Sequence, residues 1–147
     1  MFGDRLFKLL QTVLGLFFLA TGVIKLFDLS AFTQDVANYQ LVSRPWDAVV
    51  AYFVPWLEVF VGLALMLHYR SQAALFLFLG AMAGFTGGII SAMVRGLNIN
   101  CGCFGSQAEP TNYPLHLTFN VILIVIAGGL LWRQIQKKKG RSFSGRR

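Results

Sequence analysis

Charge is what this chain has least of. Only 13% of its 147 residues are Asp, Glu, Lys or Arg, while 56% are hydrophobic, a balance that excludes an ordinary soluble domain. Acid is scarcer still, with six Asp and Glu against thirteen Lys and Arg. Cysteine is limited to two residues, and there is no internal repeat and no low-complexity linker. What remains is long apolar runs. Four segments are apolar over the ~20 residues that a helix needs to cross a bilayer: 6–27, 48–67, 72–94 and 114–133. They occupy residues 1–136 as one membrane domain, leave 137–147 as a basic tail, and leave nothing for a second domain.

Lysine and arginine set the expected orientation, because short cytoplasmic loops collect them. With the N-terminus inside, the cytoplasmic side holds ten: Arg5, Lys8, Arg70, Arg133, Lys137, Lys138, Lys139, Arg141, Arg146 and Arg147. The opposite side keeps three, Lys25, Arg44 and Arg95. The sequence thus predicts an all-α membrane protein, a bundle of four transmembrane helices with both termini in the cytoplasm. The tail from Lys137 to Arg147 lacks the aromatic interleaving of a nucleic-acid site and suits anionic membrane lipid instead. The first segment mimics a signal peptide, with Ala20-Thr21-Gly22 in the place of a cleavage site. Its apolar run continues through Val23 and Ile24, so it reads as a retained helix.

Arg44-Pro45-Trp46 and Tyr113-Pro114 mark the starts of the second and fourth spans, since proline is tolerated in a first helical turn. Trp46, Tyr52, Tyr69, Tyr113 and Trp132 fall near span ends, as an aromatic belt requires. Between the first two spans, segment 29–43 carries Phe32, Val36, Tyr39 and Leu41 among polar residues. That spacing predicts a short amphipathic helix on the outer interface, or a cap over the bundle. The link at 68–71 is so short that the second and third spans must form an antiparallel hairpin. In the third span Gly80, Gly84 and Gly88, with Ala81, Gly87 and Ala92, make a smooth face, expected to pack inside the bundle or to leave room for a flat ligand.

Ionisable groups at membrane depth cost about 2.5 to 3.5 kcal/mol each on insertion scales, so each needs a reason. Lys25 stands near the outer end of the first span and Glu58 inside the second, after Pro55. A contact between them would satisfy both. Arg95, His116 and Asn120 lie toward the same outer half. The two cysteines, Cys101 and Cys103, sit one residue apart in a polar loop between the third and fourth spans. Gly102 and Gly105 allow a tight turn there, and a disulfide closed over one residue is strained, exposed and exchangeable. On the predicted topology this loop is outside the cytoplasm, where disulfides persist.

Taken together, Gly22-x-x-Lys25, Phe32 and Tyr39, Pro55-x-x-Glu58 followed by Gly62, and Arg95 ahead of Cys101-Gly102-Cys103-Phe104-Gly105 resemble the MauE group of the DoxX-like membrane proteins. The resemblance runs from Leu6 to Trp132. Ser106 departs from it, standing where many relatives have a further glycine. The resemblance implies a four-helix protein of the bacterial inner membrane associated with extracytoplasmic thiol redox work. Within that group MauE itself is linked to maturation of the disulfide-rich small subunit of methylamine dehydrogenase, and the family is broader than that one pathway.

These features support a membrane-embedded thiol–disulfide redox protein in which Cys101 and Cys103 act, and Lys25, Glu58, Arg95 and His116 support them. Arg95 would favour a thiolate if the loop folds back on it. The partners expected are a periplasmic thioredoxin-like protein or a disulfide-containing client, with a larger membrane complex as a further setting. Quinone is a candidate acceptor, because its two-electron capacity matches two thiols. Two other classes stay open. Cys101, Cys103 and His116 could hold a soft metal such as Cu(I), though a closed zinc site would lack a fourth ligand. Alternatively the cysteines form an inert disulfide in a structural subunit.

Overall fold

The computed structural model describes residues 2–97 and 113–144. Five helices account for nearly all of them: α1 (Phe2–Phe27), α2 (Leu29–Asn38), α3 (Trp46–Met66), α4 (Ser71–Val94) and α5 (Tyr113–Ser144). No strand occurs among the described residues. Four of the helices, all but α2, are long and apolar enough to cross a membrane. Helix is the form a single chain segment takes in hydrocarbon, because it satisfies every backbone N–H and C=O within itself. The predicted span boundaries hold to within a few residues, except that α5 runs on without a break into the basic tail.

The spans share one core, built at helical spacing. Leu14 and Phe18 of α1, Val61 and Leu65 of α3, Leu75, Phe78 and Met82 of α4, and Leu123, Ala127 and Leu130 of α5 are buried together. Phe18 and Phe78 meet at its centre with ring centroids 4.4 Å apart. Leu9, Val13, Phe53, Phe60, Phe76, Ile122 and Val125 point outward, as a lipid-facing surface does. Trp46, Tyr52, Tyr69 and Trp132 are also exposed, in keeping with the expected aromatic belt.

The closest approach is between α1 and α3, and glycine makes it. A Cβ at Gly62 would stand 2.6 Å from the Leu19 amide nitrogen and 2.7 Å from the Gly15 carbonyl oxygen. One at Gly22 would stand 2.9 Å from both the Pro55 carbonyl oxygen and Glu58 Cβ. The third-span glycines behave otherwise. A Cβ at Gly80, Gly84 or Gly87 would meet nothing within 4 Å, which corrects, for these three positions, the expectation that the face packs inside the bundle. The core face of α4 is the one carrying Leu75, Phe78 and Met82; it turns these three glycines away, while Ala81 packs against the core and Ala92 is fully buried. Of the four glycines in α4 only Gly88 lies against neighbours, the Tyr39 and Leu41 side chains at 3.6 Å.

The amphipathic segment is α2, capped by Asp28, whose Oδ1 accepts from the Ala31 amide at 3.0 Å. It lies on α3 and buries Phe32 and Asp35. The α3–α4 link, residues 67–70, turns sharply because His68 (φ 54°) and Arg70 (φ 45°) adopt left-handed backbone. The two termini therefore share one end of the bundle, where Arg133 donates to the Gly3 carbonyl at 2.5 Å. The ends of α1 and α4, the start of α5 and all of α2 lie at the other.

Candidate functional site

Lys25 occupies the last turn of α1, and one helical turn earlier Thr21 lies on the same face. Glu58 faces them from α3, brought close by the contact of Gly22 with Pro55. The Lys25 ammonium meets Glu58 Oε1 at 2.5 Å, and the two side chains are 3% and 1% exposed. The pair expected from the sequence is therefore present. The ammonium also lies over the Phe32 and Phe85 rings, 5.1 and 4.7 Å from their centroids, so α2 and α4 close over it with attractive aromatic faces. Glu58 Oε2 is buried with no hydrogen-bond partner.

A cavity of about 20 Å³ adjoins the pair. Its polar wall consists of Thr21, Lys25, Glu58, His116 and Asn120; its apolar wall is formed by Phe17, Phe18, Met82, Phe85 and Phe119. Asn120 is held in place by a hydrogen bond to the Thr86 hydroxyl at 3.3 Å, and that hydroxyl donates to the Met82 carbonyl at 2.7 Å. Thr21 donates to the Phe18 carbonyl at 3.0 Å. Phe17 and Phe119 meet edge to face, with centroids 5.5 Å apart and planes at 66°, joining α1 to α5. The structure thus gathers Lys25, Glu58, His116 and Asn120 around one cavity. The aromatic wall is not legible in the sequence, because apolar residues on a span carry no signal of which face turns inward.

Arg95 is not part of this wall. Its guanidinium donates to the carbonyls of Tyr39 and Gln40, the latter at 3.4 Å, and its Nε to the Ser91 carbonyl at 3.3 Å. It ties the end of α4 to the end of α2. Asp35, one turn beyond Phe32, is 6% exposed and its Oδ2 has no partner. Burial and the neighbouring Asp28 charge hold its carboxyl above the ordinary value of 3.8. At the opposite end Gln11, fully buried, donates to the Leu65 carbonyl at 3.2 Å and the Ser71 hydroxyl at 2.7 Å, and accepts from Gln134 at 3.4 Å. That network joins all four spans.

Cys101 and Cys103 lie outside the described residues, in the segment that connects α4 to α5. The cavity beside Glu58 has room for water. It lacks room for a quinone ring, since sites for organic ligands run to about 300 Å³ or more.

A family model described as Methylamine utilisation protein MauE matches residues 4–133, most of the chain. Neither the search of curated proteins nor that of solved structures finds a match.

Proposed function

The chain belongs to the MauE family of methylamine utilisation proteins as a multi-pass membrane protein, and from that premise we propose that it is a thiol–disulfide redox protein. It works through Cys101 and Cys103 on the external side of a bacterial inner membrane, and supports disulfide formation in an exported protein of methylamine utilisation.

What carries this reading is the cysteine pair itself. The chain has two cysteines, separated by Gly102 alone, in the polar stretch joining two membrane-spanning helices. Two sulfurs at that spacing suit a strained, exchangeable disulfide better than a structural staple. The charge asymmetry of the sequence supports an external position.

The chemistry balances as an exchange. A client thiolate attacks one sulfur of the Cys101–Cys103 disulfide; that S–S bond breaks, a mixed disulfide forms, and the other cysteine leaves as a thiolate. The second client thiol, once deprotonated, attacks the mixed disulfide and frees the client with its own disulfide. The pair is left as two thiols, having taken two electrons and two protons from the client. A thioredoxin-like disulfide protein has the chemistry to re-oxidise it, and so does a membrane quinone.

The test is to trap the intermediate. A Cys101→Ser or Cys103→Ser variant expressed with its natural clients should hold one of them in an adduct that dithiothreitol dissolves. A membrane-impermeant maleimide should label the reduced pair in intact spheroplasts. No adduct with either variant would refute the exchange, and labelling only after lysis would refute the orientation.

A further inference from the structure

We propose that the cavity beside Glu58 is a hydrated proton-exchange site inside the membrane domain, its ligand a single water molecule held on Glu58 Oε2. The site stands independently of the thiol chemistry.

Glu58 is 1% exposed and gives Oε1 to Lys25, while Oε2 is buried with no partner. Leaving a buried acceptor dry costs about 1–3 kcal/mol, more for a charged group. Folded proteins meet such atoms with ordered water. The cavity offers about 20 Å³, and one water needs roughly 10–15 Å³. Its walls supply further partners, Thr21, Asn120 and His116, and a buried water typically makes about three hydrogen bonds. Size and lining therefore select one water and refuse a ring.

Among the described residues, the charged and titratable groups around the site are few. Helix α1 contributes Lys25 and α5 contributes His116. Helix α4 contributes Met82 and Phe85, and α2 places Phe32 over the Lys25 ammonium; none of these titrates. Lys25 is engaged with Oε1 and lies over its two rings. His116, in the first turns of α5, links the water to the end of the bundle where α4 ends and α5 begins. In the exchange, an imidazolium at His116 gives its proton to the water as the water gives one of its own to Glu58 Oε2. Neutral imidazole, water and a carboxylic acid remain, and the reverse step restores the carboxylate.

The chain has two glutamates, Glu58 and Glu109. Carboxyl-¹³C glutamate in an E109Q background therefore reports on Glu58 without altering it. Infrared spectra of the full-length protein in lipid nanodiscs should show the Glu58 carboxyl bands shifting within minutes of transfer from H2O to D2O. Asn120→Leu fills the cavity and removes an amide from its wall, and should slow that shift at least tenfold. An azidoquinone photoprobe should leave the cavity wall unlabelled. A band that ignores D2O, an Asn120→Leu variant that exchanges as fast as its parent, or photolabelling at Lys25 or Glu58 would each overturn the proposal. None of these readouts involves a thiol, so their failure would leave the cysteine reading standing.

Discussion

Lys25 at the end of α1 and Glu58 within α3 form an ion pair at 2.5 Å, with only 3% and 1% of their side chains exposed. Breaking a buried pair strands a charge and costs about 3–5 kcal/mol, whereas replacing both partners with apolar groups is often neutral. Lys25→Met and Glu58→Met should each lose about that much stability, and the double variant should recover most of it. Glu58→Gln should also impair folding or activity, and by less once Lys25 is gone. Unfolding in detergent across the mutant cycle measures the coupling, and additive losses would show that the two residues do not act as a pair.

The glycines separate into two kinds that substitution will tell apart. At Gly62 and Gly22 a methyl group would press on backbone atoms of the facing helix, at 2.6 and 2.9 Å, and overpacking of that kind costs about 1–3 kcal/mol. At Gly84 it would meet nothing within 4 Å, and alanine in a helix interior gains about 0.5–1 kcal/mol over glycine. Gly62→Ala and Gly22→Ala should therefore lower the melting temperature, while Gly84→Ala leaves it unchanged or raises it. Equal effects at all three would contradict the α1–α3 contact described above.

Asp35 gives α2 a pH dependence of definite sign. Burial, reinforced by Asp28, raises its carboxyl above 3.8, so the docked helix binds the proton more tightly than the undocked one. Stability of the docked state is then fully present at acidic pH. It declines as pH rises above about 3.8 and levels off above the raised value. Amide-exchange protection of α2, corrected for intrinsic rates, should fall over that window. Asp35→Asn should remove the fall. A variant with the wild-type profile would assign the dependence to another group.

Much of this architecture is legible in the sequence, for identifiable reasons. Apolar length announces the spans, and the expense of Lys25 and Glu58 at depth announces that they meet. The glycine stripe of α4 misleads because that helix is apolar all round, and nothing in a uniformly apolar helix says which face turns inward. Gly15, Gly22 and Gly62 make the true close contact, yet they sit on two different helices, and no spacing within one segment reveals them. The bonds of Arg95 to the end of α2 are likewise hidden until α2 is placed. Its carbonyl partners Tyr39 and Gln40 are more than fifty residues away along the chain.

Arg95 should therefore act first as a clasp. Arg95→Ala removes charge-assisted hydrogen bonds to two carbonyls, and at an exposed site that should loosen the α2 terminus by roughly tenfold in exchange protection, about 1.4 kcal/mol. Lysine, with one compact charge in place of a planar fork, should restore only part of it. If Arg95 instead acts mainly on a thiolate, Arg95→Ala would slow alkylation of the cysteines at neutral pH and leave α2 as protected as before.

Cys101 and Cys103 should behave as one working unit, since each needs the other either to resolve a mixed disulfide or to store the oxidising equivalent. Cys101→Ser and Cys103→Ser should each abolish maturation of the client while leaving membrane insertion intact, because in the sequence both lie between the apolar segments 72–94 and 114–133. The double variant should be no worse than either single one, as residues that act as a unit are not additive. Only one of the single variants should accumulate the client adduct, the one whose remaining thiolate attacks the client's own disulfide in the reverse of the exchange, and that identifies which cysteine forms the mixed disulfide. Full activity in the double variant would remove the redox role and leave the pair as an inert feature of a structural subunit.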